Sequence, residues 1–248
     1  MTRRSHTEKY NNTRLAEYCR SLRDGRELGN RLLMVQIPQV ILDSFNRDIA
    51  LKRGYYNFPP TGLQYLYEAI KGRDLEIEIL DLNFDLLKRV HEDPDFHHDQ
   101  WPEILEEKLA EFPPSMVGVS CLFDGGIAPM LKSLKIIRER TDAIVIAGGV
   151  IATYETKSLL ADGGCHFVIA GEGENKLNFL FDRLTGEDEG TTPTPGIYFR
   201  TGEEEHESAG APDIVDVKGD LIDSYQKVPI EEYYKYGSLN SFTRMRDA

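Results

Sequence analysis

Four short stretches of the chain stop an apolar run on residues suited to holding a ligand. Ser120-Cys121-Leu122 closes SMVGVSCL, Gly148-Gly149-Val150 closes AIVIAGGV, Gly171-Glu172-Gly173-Glu174 follows CHFVIA, and Pro38-Gln39 follows RLLMVQI. A serine hydroxyl donates and accepts hydrogen bonds, and paired glycines let a ligand approach the backbone without meeting a Cβ. This is the chemistry of binding through backbone groups and a few side chains. The loop at 171–174 lacks the third glycine of G-x-G-x-x-G. Glu172 and Glu174 also stand where a pyrophosphate would have to approach a helix N-terminus. A bulky, mostly neutral ligand suits this loop better than a phosphate. Asp124 either bonds a ligand or begins the D-G-G turn.

Other chemistries lack their residues. No nucleophile elbow or Ser/His/Asp arrangement is recognisable. Cys19, Cys121 and Cys165 are too far apart in sequence for a disulfide framework, a zinc site or an iron-sulfur cage. Cys121 lies among the candidate pocket residues, but with no histidine nearby in sequence it reads as a buried structural thiol rather than a nucleophile. His6, His91, His97, His98 and His206 fall in polar segments, and His166 starts a strand at the end away from the candidate loops.

The elements that must position these loops follow from hydropathy patterning. Apolar runs at 31–37, 75–82, 115–122, 143–150 and 165–172 read as five strands. Between and after them, TGLQYLYEAIKG, WPEILEEKLAEF, IAPMLKSLKIIRER, TKSLLADGG and NKLNFLFDRLTG read as helices. Alternating strands and helices imply an α/β fold: a doubly wound, flavodoxin-like five-stranded parallel sheet with helices on both faces. Ligands of such sheets bind beyond the carboxyl ends of the strands, where the four candidate stretches converge. Leu15, Tyr18, Cys19 and Leu22 add an amphipathic helix within an N-terminal extension, residues 1–30. Residues 31–186 form the binding domain. Residues 187–248 begin acidic and Pro/Thr-rich and read as a hairpin and connector. The stretch 41–58 is long for a loop in such a unit; it is either a lid or a short extra helix that buries Phe45, Ile49 and Tyr56.

Composition limits the partners. A formal net charge of -13 repels a phosphate backbone, so nucleic acid is not expected. No apolar run approaches the roughly 20 residues needed to span a bilayer, and the charged N-terminus is followed by no apolar stretch. A cytoplasmic location is the expectation.

Ser120-x-Leu122 and Gly148-Gly149, with the intervening spacing, resemble the S-x-L and G-G elements of cobalamin-binding domains. PPTGLQYLYEAI, LDLN and the GEGE loop followed by PGIYFR are similar to the version at the N-terminus of cobalamin-dependent radical SAM enzymes. The resemblance implies that cobalamin is the cofactor, with Ser120, Gly148 and Gly149 lining the slot for its nucleotide tail. It implies Cys121, Leu122, Asp124, Val150, Gly171, Glu172, Gly173, Pro38 and Gln39 as further pocket residues. The chain lacks the D-x-H-x-x-G motif whose histidine binds cobalt in the methionine-synthase-like branch, so cobalt without a protein histidine ligand is expected. It also lacks the C-x-x-x-C-x-x-C motif of radical SAM domains. A 4Fe-4S cluster and S-adenosylmethionine therefore belong to a partner radical SAM domain, and the chain is a corrinoid-presenting module for methyl transfer or a related radical reaction. The rivals are an FMN or other nucleotide module on the same fold and a docking domain without cofactor. Gly149→Leu is expected to block the tail slot and leave folding largely intact.

Overall fold

The structure, a computed structural model, describes residues 2–26, 28–161, 164–186, 193–210 and 221–239, with backbone alone at 2–10 and at 124. The strands are β1 (Arg31–Gln36), β2 (Glu76–Asp81), β3 (Met116–Ser120), β4 (Ile144–Gly148), β5 (Phe167–Ile169), β6 (Ile197–Thr201) and β7 (Glu204–Glu207). The helices are α1 (Thr2–Asp24), α2 (Arg47–Leu51), α3 (Thr61–Ile70), α4 (Leu82–Glu92), α5 (Trp101–Glu111), α6 (Ile127–Arg140), α7 (Val150–Tyr154), α8 (Thr156–Leu160), α9 (Glu174–Thr185) and α10 (Tyr233–Tyr236).

One sheet runs in the order β2-β1-β3-β4-β5-β6-β7. The first five strands are parallel in the expected doubly wound order. The sheet has seven strands rather than the expected five. The hairpin β6-β7 continues it antiparallel from β5, pairing Phe167 with Phe199 and Ile169 with Ile197. Left alone, β5 would offer a row of unpaired backbone groups. The β6 backbone pairs with that edge instead, and Ile197 and Phe199 are buried there.

The two-residue period of the strands divides the core. Leu33, Val35, Val117, Val119, Val145 and Ala147 face one way, into a cluster with residues of α4, α5 and α6. Leu32, Met34, Met116, Ile144 and Ile146 face the other way, into a cluster with α1, α3 and α9. The amphipathic stripe Leu15, Cys19 and Leu22 of α1 is buried in this second cluster.

The sequence reading left no place for α4. Asp81 ends β2 and also caps α4, accepting from the backbone N–H groups of Asn83 (2.9 Å) and Phe84 (3.2 Å), so strand passes to helix with no loop between. The stretch 41–58 contains a 3-10 turn at Leu42–Ser44 and the short α2. Phe45 stacks on Tyr55 and His98. Ile49 and Tyr56, which the extra-helix alternative would bury, are exposed.

The segment 221–239 is bolted to the domain rather than trailing from it. Tyr233 is fully buried against Phe84 and donates its hydroxyl to Asp81 Oδ2 at 2.9 Å. Asn57 donates to the Tyr233 carbonyl (2.9 Å), and backbone bonds join Asn57 and Tyr55 to Ser238. Gln64 of α3 donates to Ser224 Oγ. The remainder of the expected connector, residues 187–192, 211–220 and 240–248, lies outside the described residues.

Burial raises the Asp81 carboxyl to about 7, against the lowering effect of its bonds from Tyr233, Phe84 and Asn83. The folded chain therefore keeps a proton that the unfolded chain loses at about pH 4. This contribution to stability is full below that pH and fades as the pH rises through about 7. Asp85, raised to about 6 mainly by burial, titrates nearby and is common to wild type and variant. Asp81→Asn should retain the cap, and its melting temperature should gain on that of the wild type as the pH rises from 5 to 8. A pH-independent difference between the two proteins would refute the assignment.

Candidate functional site

The carboxyl ends of β1, β3, β4 and β5 surround a cavity of about 370 Å³ that runs down between the sheet and helices α3 and α9. Its existence traces to one row of the sheet. Met34 pairs with Gly118, and Gly118 with Ile146. Ser120 pairs with Gly148 two residues further along. At Gly118 a Cβ would meet only Met34 Cγ at 4.0 Å, and at Gly148 and Gly62 it would meet nothing within 4 Å. The missing side chains are the cavity. Glycine inside a strand weakens it and often marks close approach by a ligand. The glycine in MVGVS was the available signal in the sequence, and it was passed over.

Of the expected pocket residues, the structure gathers Ser120, Leu122, Gly148, Gly149 and Val150 around the cavity, together with Gly171, Glu172 and Gly173. Pro38 and Gln39 stand apart from its lining. They belong to a turn held by the fully buried Asn83, whose Oδ1 accepts from the N–H groups of Gln39 (2.9 Å) and Val40 (3.1 Å). Asn83 Nδ2 donates to the Tyr56 carbonyl and Asn57 Oδ1. Residue 124 opens a short 3-10 turn, Asp124–Gly126.

Cys121 also lies outside the lining. Its side chain is buried in the opposite core cluster, with Sγ 3.3 Å from the Phe123 carbonyl. Its backbone locks the β3 and β4 ends together, donating to the Gly148 carbonyl and accepting from Ile151 N–H, both at 3.2 Å. Gly149 sits against that backbone at φ 88°, and a Cβ there would overlap the Cys121 peptide. Gly149 is therefore a requirement of the chain trace, so the expected tolerance of Gly149→Leu by the fold is corrected. Gly148 and Gly118 carry the open space.

Sequence reasoning missed the walls. Leu63 and Leu66 come from α3, Leu177 from α9, and Leu32, Met34 and Ile146 from the strands. It also missed Thr153, whose hydroxyl accepts from Gly171 N–H at 3.0 Å and joins the β4 and β5 ends. Glu174 lines the cavity from the first turn of α9, and its Oε2 is buried with no hydrogen-bond partner. A buried acceptor left unpaired costs free energy, so this oxygen suits a ligand that brings a donor. Beyond the strand ends Ile41, Phe123, Val150 and Tyr154 are exposed.

No histidine lines the cavity among the described residues. His166, at the opposite end of the sheet, accepts from Val145 N–H at 2.9 Å and faces Arg26 and Arg138. Burial and then these two cations lower it to about 3. His97, His98 and Asp99 cluster on the surface beside Phe45.

The B12 binding domain family matches residues 47–180, more than half of the chain. Comparison with curated proteins gives no match. Among solved structures, the fold is similar to that of the radical S-adenosylmethionine methyltransferase TsrM from Kitasatospora setae, with cobalamin and a 4Fe-4S cluster bound. That likeness has a TM-score of 0.53 and 22% identity over 77% of this chain and 30% of TsrM. It is similar also to the cobalamin-dependent S-adenosylmethionine radical enzyme OxsB with aqua-cobalamin bound, at TM-score 0.52 and 14% identity over 84% of this chain and 25% of OxsB. The chain thus spans less than a third of either neighbour, and at these identities the likeness is one of fold.

The two kinds of glycine separate experimentally. Gly149→Ala should lower the melting temperature by several degrees, because it forces a Cβ against backbone at a positive φ. Gly118→Ala should leave the melting temperature unchanged or raise it. Equal effects in thermal melts would show that the Gly149 turn is not the constrained one.

Proposed function

The chain belongs to the B12-binding domain family, and from that premise we propose that its cavity receives the nucleotide tail of cobalamin. The observation that carries this reading is the open space at Gly148 beside Ser120 and at Gly118 two residues below it, walled by α3 and α9. The cavity has the size and the mostly apolar lining of a cofactor site. Ser120 offers a hydroxyl at its mouth, and Glu174 Oε2 an acceptor for a sugar hydroxyl. The exposed apolar side chains of Ile41, Phe123, Val150 and Tyr154 suit the flank of a corrin ring or a covering domain.

When bound, the corrinoid supplies a cobalt centre able to carry and transfer an organic group. The protein's part is to hold and orient it. The sequence carries no D-x-H-x-x-G, and on that ground cobalt would be held without a protein histidine ligand. Residues 31–186 form the binding unit, with α1 and the segment 221–239 packed on it. The chain serves as the corrinoid-presenting part of a radical SAM enzyme, for methyl transfer or a related radical reaction. The 4Fe-4S cluster and S-adenosylmethionine are held by a radical SAM domain outside these residues, which contain no C-x-x-x-C-x-x-C. Among the described residues, no helix is long and apolar enough to cross a membrane. The acidic charge fits a cytoplasmic protein that does not bind nucleic acid.

Titration with hydroxocobalamin, followed by absorbance, tests the slot. Gly118→Leu fills it from a position with room for the side chain, so affinity should fall by more than about tenfold while the melting temperature holds. Unchanged affinity would take the tail out of the slot. Glu174→Ala should weaken binding by roughly fivefold, the loss of one hydrogen bond. In the Co(II) state, coupling of cobalt to a protein histidine nitrogen would refute the ligand assignment.

A further inference from the structure

The depth and polarity of the slot say more about its ligand than that it is a tail. Leu32 lies four positions before Gln36 at the end of β1, so the cavity reaches roughly 13 Å below the strand ends at about 3.3 Å per residue. Below the row of Met34, Gly118 and Ile146 the sheet closes with the row of Leu32, Met116 and Ile144, all three buried. The polar side chains of the lining all stand at the top. Ser120 ends β3, Thr153 follows β4, Glu172 follows β5, and Glu174 begins α9.

The lower part is different. Leu32, Met34 and Ile146 face it from the sheet, with Gly118 between the last two. The backbone of β1, β3 and β4 is committed to the parallel ladder. Among the described residues, the deep half of the slot therefore offers no side-chain donor or acceptor. Whatever end of the tail reaches it gives up water and receives only van der Waals contact in return. An apolar ring gains by this transfer, whereas an exocyclic amine or a ring N–H would be buried unpaired.

We infer that the slot selects among corrinoids by the base that ends the nucleotide tail, admitting an apolar benzimidazole and discriminating against a purine such as adenine. This rests on the tail-in-slot reading above. Met34, Gly118 and Ile146 are the specificity-determining positions. Glu174, near the strand ends, serves the sugar and does not read the base.

The test uses the full chain and three corrinoids: hydroxocobalamin, the corresponding cobamide with adenine in place of dimethylbenzimidazole, and cobinamide, which has no nucleotide. Hydroxocobalamin should bind at least tenfold more tightly than the adenine cobamide, and cobinamide more weakly than hydroxocobalamin. Adenine leaves cobalt more readily than benzimidazole, so the preference is measured against that bias. Met34→Gln, near-isosteric and able to pair with an amine, should narrow the ratio; a ratio that this folded variant leaves unchanged would remove Met34 from the selecting wall. Should the variant fail to fold, the wild-type ratio decides alone. Equal affinity for the two cobamides, with cobinamide weak, would overturn base selection and leave the tail in the slot. Cobinamide binding as tightly as hydroxocobalamin, or no binding of any corrinoid, would overturn the tail reading and the selection with it.

Discussion

The structure depends on a gap in side-chain packing. Proteins fill their interiors to crystal-like density, and a sheet face covered by helices normally does so with apolar side chains at every inward position. Here Gly118 stands between Met34 and Ile146, and Gly148 beside Ser120, on the face covered by α3 and α9. The helices cannot collapse into the gap, because Leu63, Leu66 and Leu177 already rest on the neighbouring positions. A void of this kind forfeits dispersion contacts and lowers stability. The opposite face carries valine and alanine in the same strands, all buried. Proposed occupancy by a cofactor tail gives the loss a reason, since the ligand restores the missing contacts.

Around that gap, each strand end is fixed by a different device. The β3 and β4 ends are joined through the Cys121 backbone, which the Gly149 turn allows to come close. The β4 and β5 ends are joined by the Thr153 hydroxyl. The turn after β1, the Tyr56 carbonyl and the Asn57 side chain share one buried amide, Asn83, with every bond used. The β2 end is Asp81, held from below as a helix cap and from above by Tyr233. A site proposed to orient a large cofactor needs walls that do not yield. These contacts tie the slot, the stretch 41–58 and the segment 221–239 into one rigid rim.

The segment 221–239 changes the picture of a connector. It reaches α3 through Gln64 and Glu68, α4 through Phe84 and Asp81, and the stretch 41–58 through Tyr55 and Asn57. Since α3 is a wall of the slot, anything that displaces this segment acts on the wall. The coupling runs through buried hydrogen bonds, which are costly to leave unmade.

The sequence alone determined the alternation of strands and helices, the parallel doubly wound sheet, and the convergence of Ser120, Leu122, Gly148, Gly149 and the 171–173 loop on one end. Each of these is local: hydrophobic period, glycine turns and chain direction decide them. It did not determine that β6 and β7 extend the sheet, because pairing across the acidic stretch at 187–192 is a long-range choice driven by the open edge of β5. Nor did it separate Cys121 from Ser120 and Leu122. Side chains alternate across a strand and its continuation, and only the packed sheet shows which face is empty. Among the paired glycines it could not tell Gly149, needed by the backbone, from Gly148, needed by the cavity. Gly118 and the leucines of α3 and α9 read as ordinary core until the helices were in place. A cavity is a property of what surrounds it, and that is set by tertiary contacts between residues far apart in the chain.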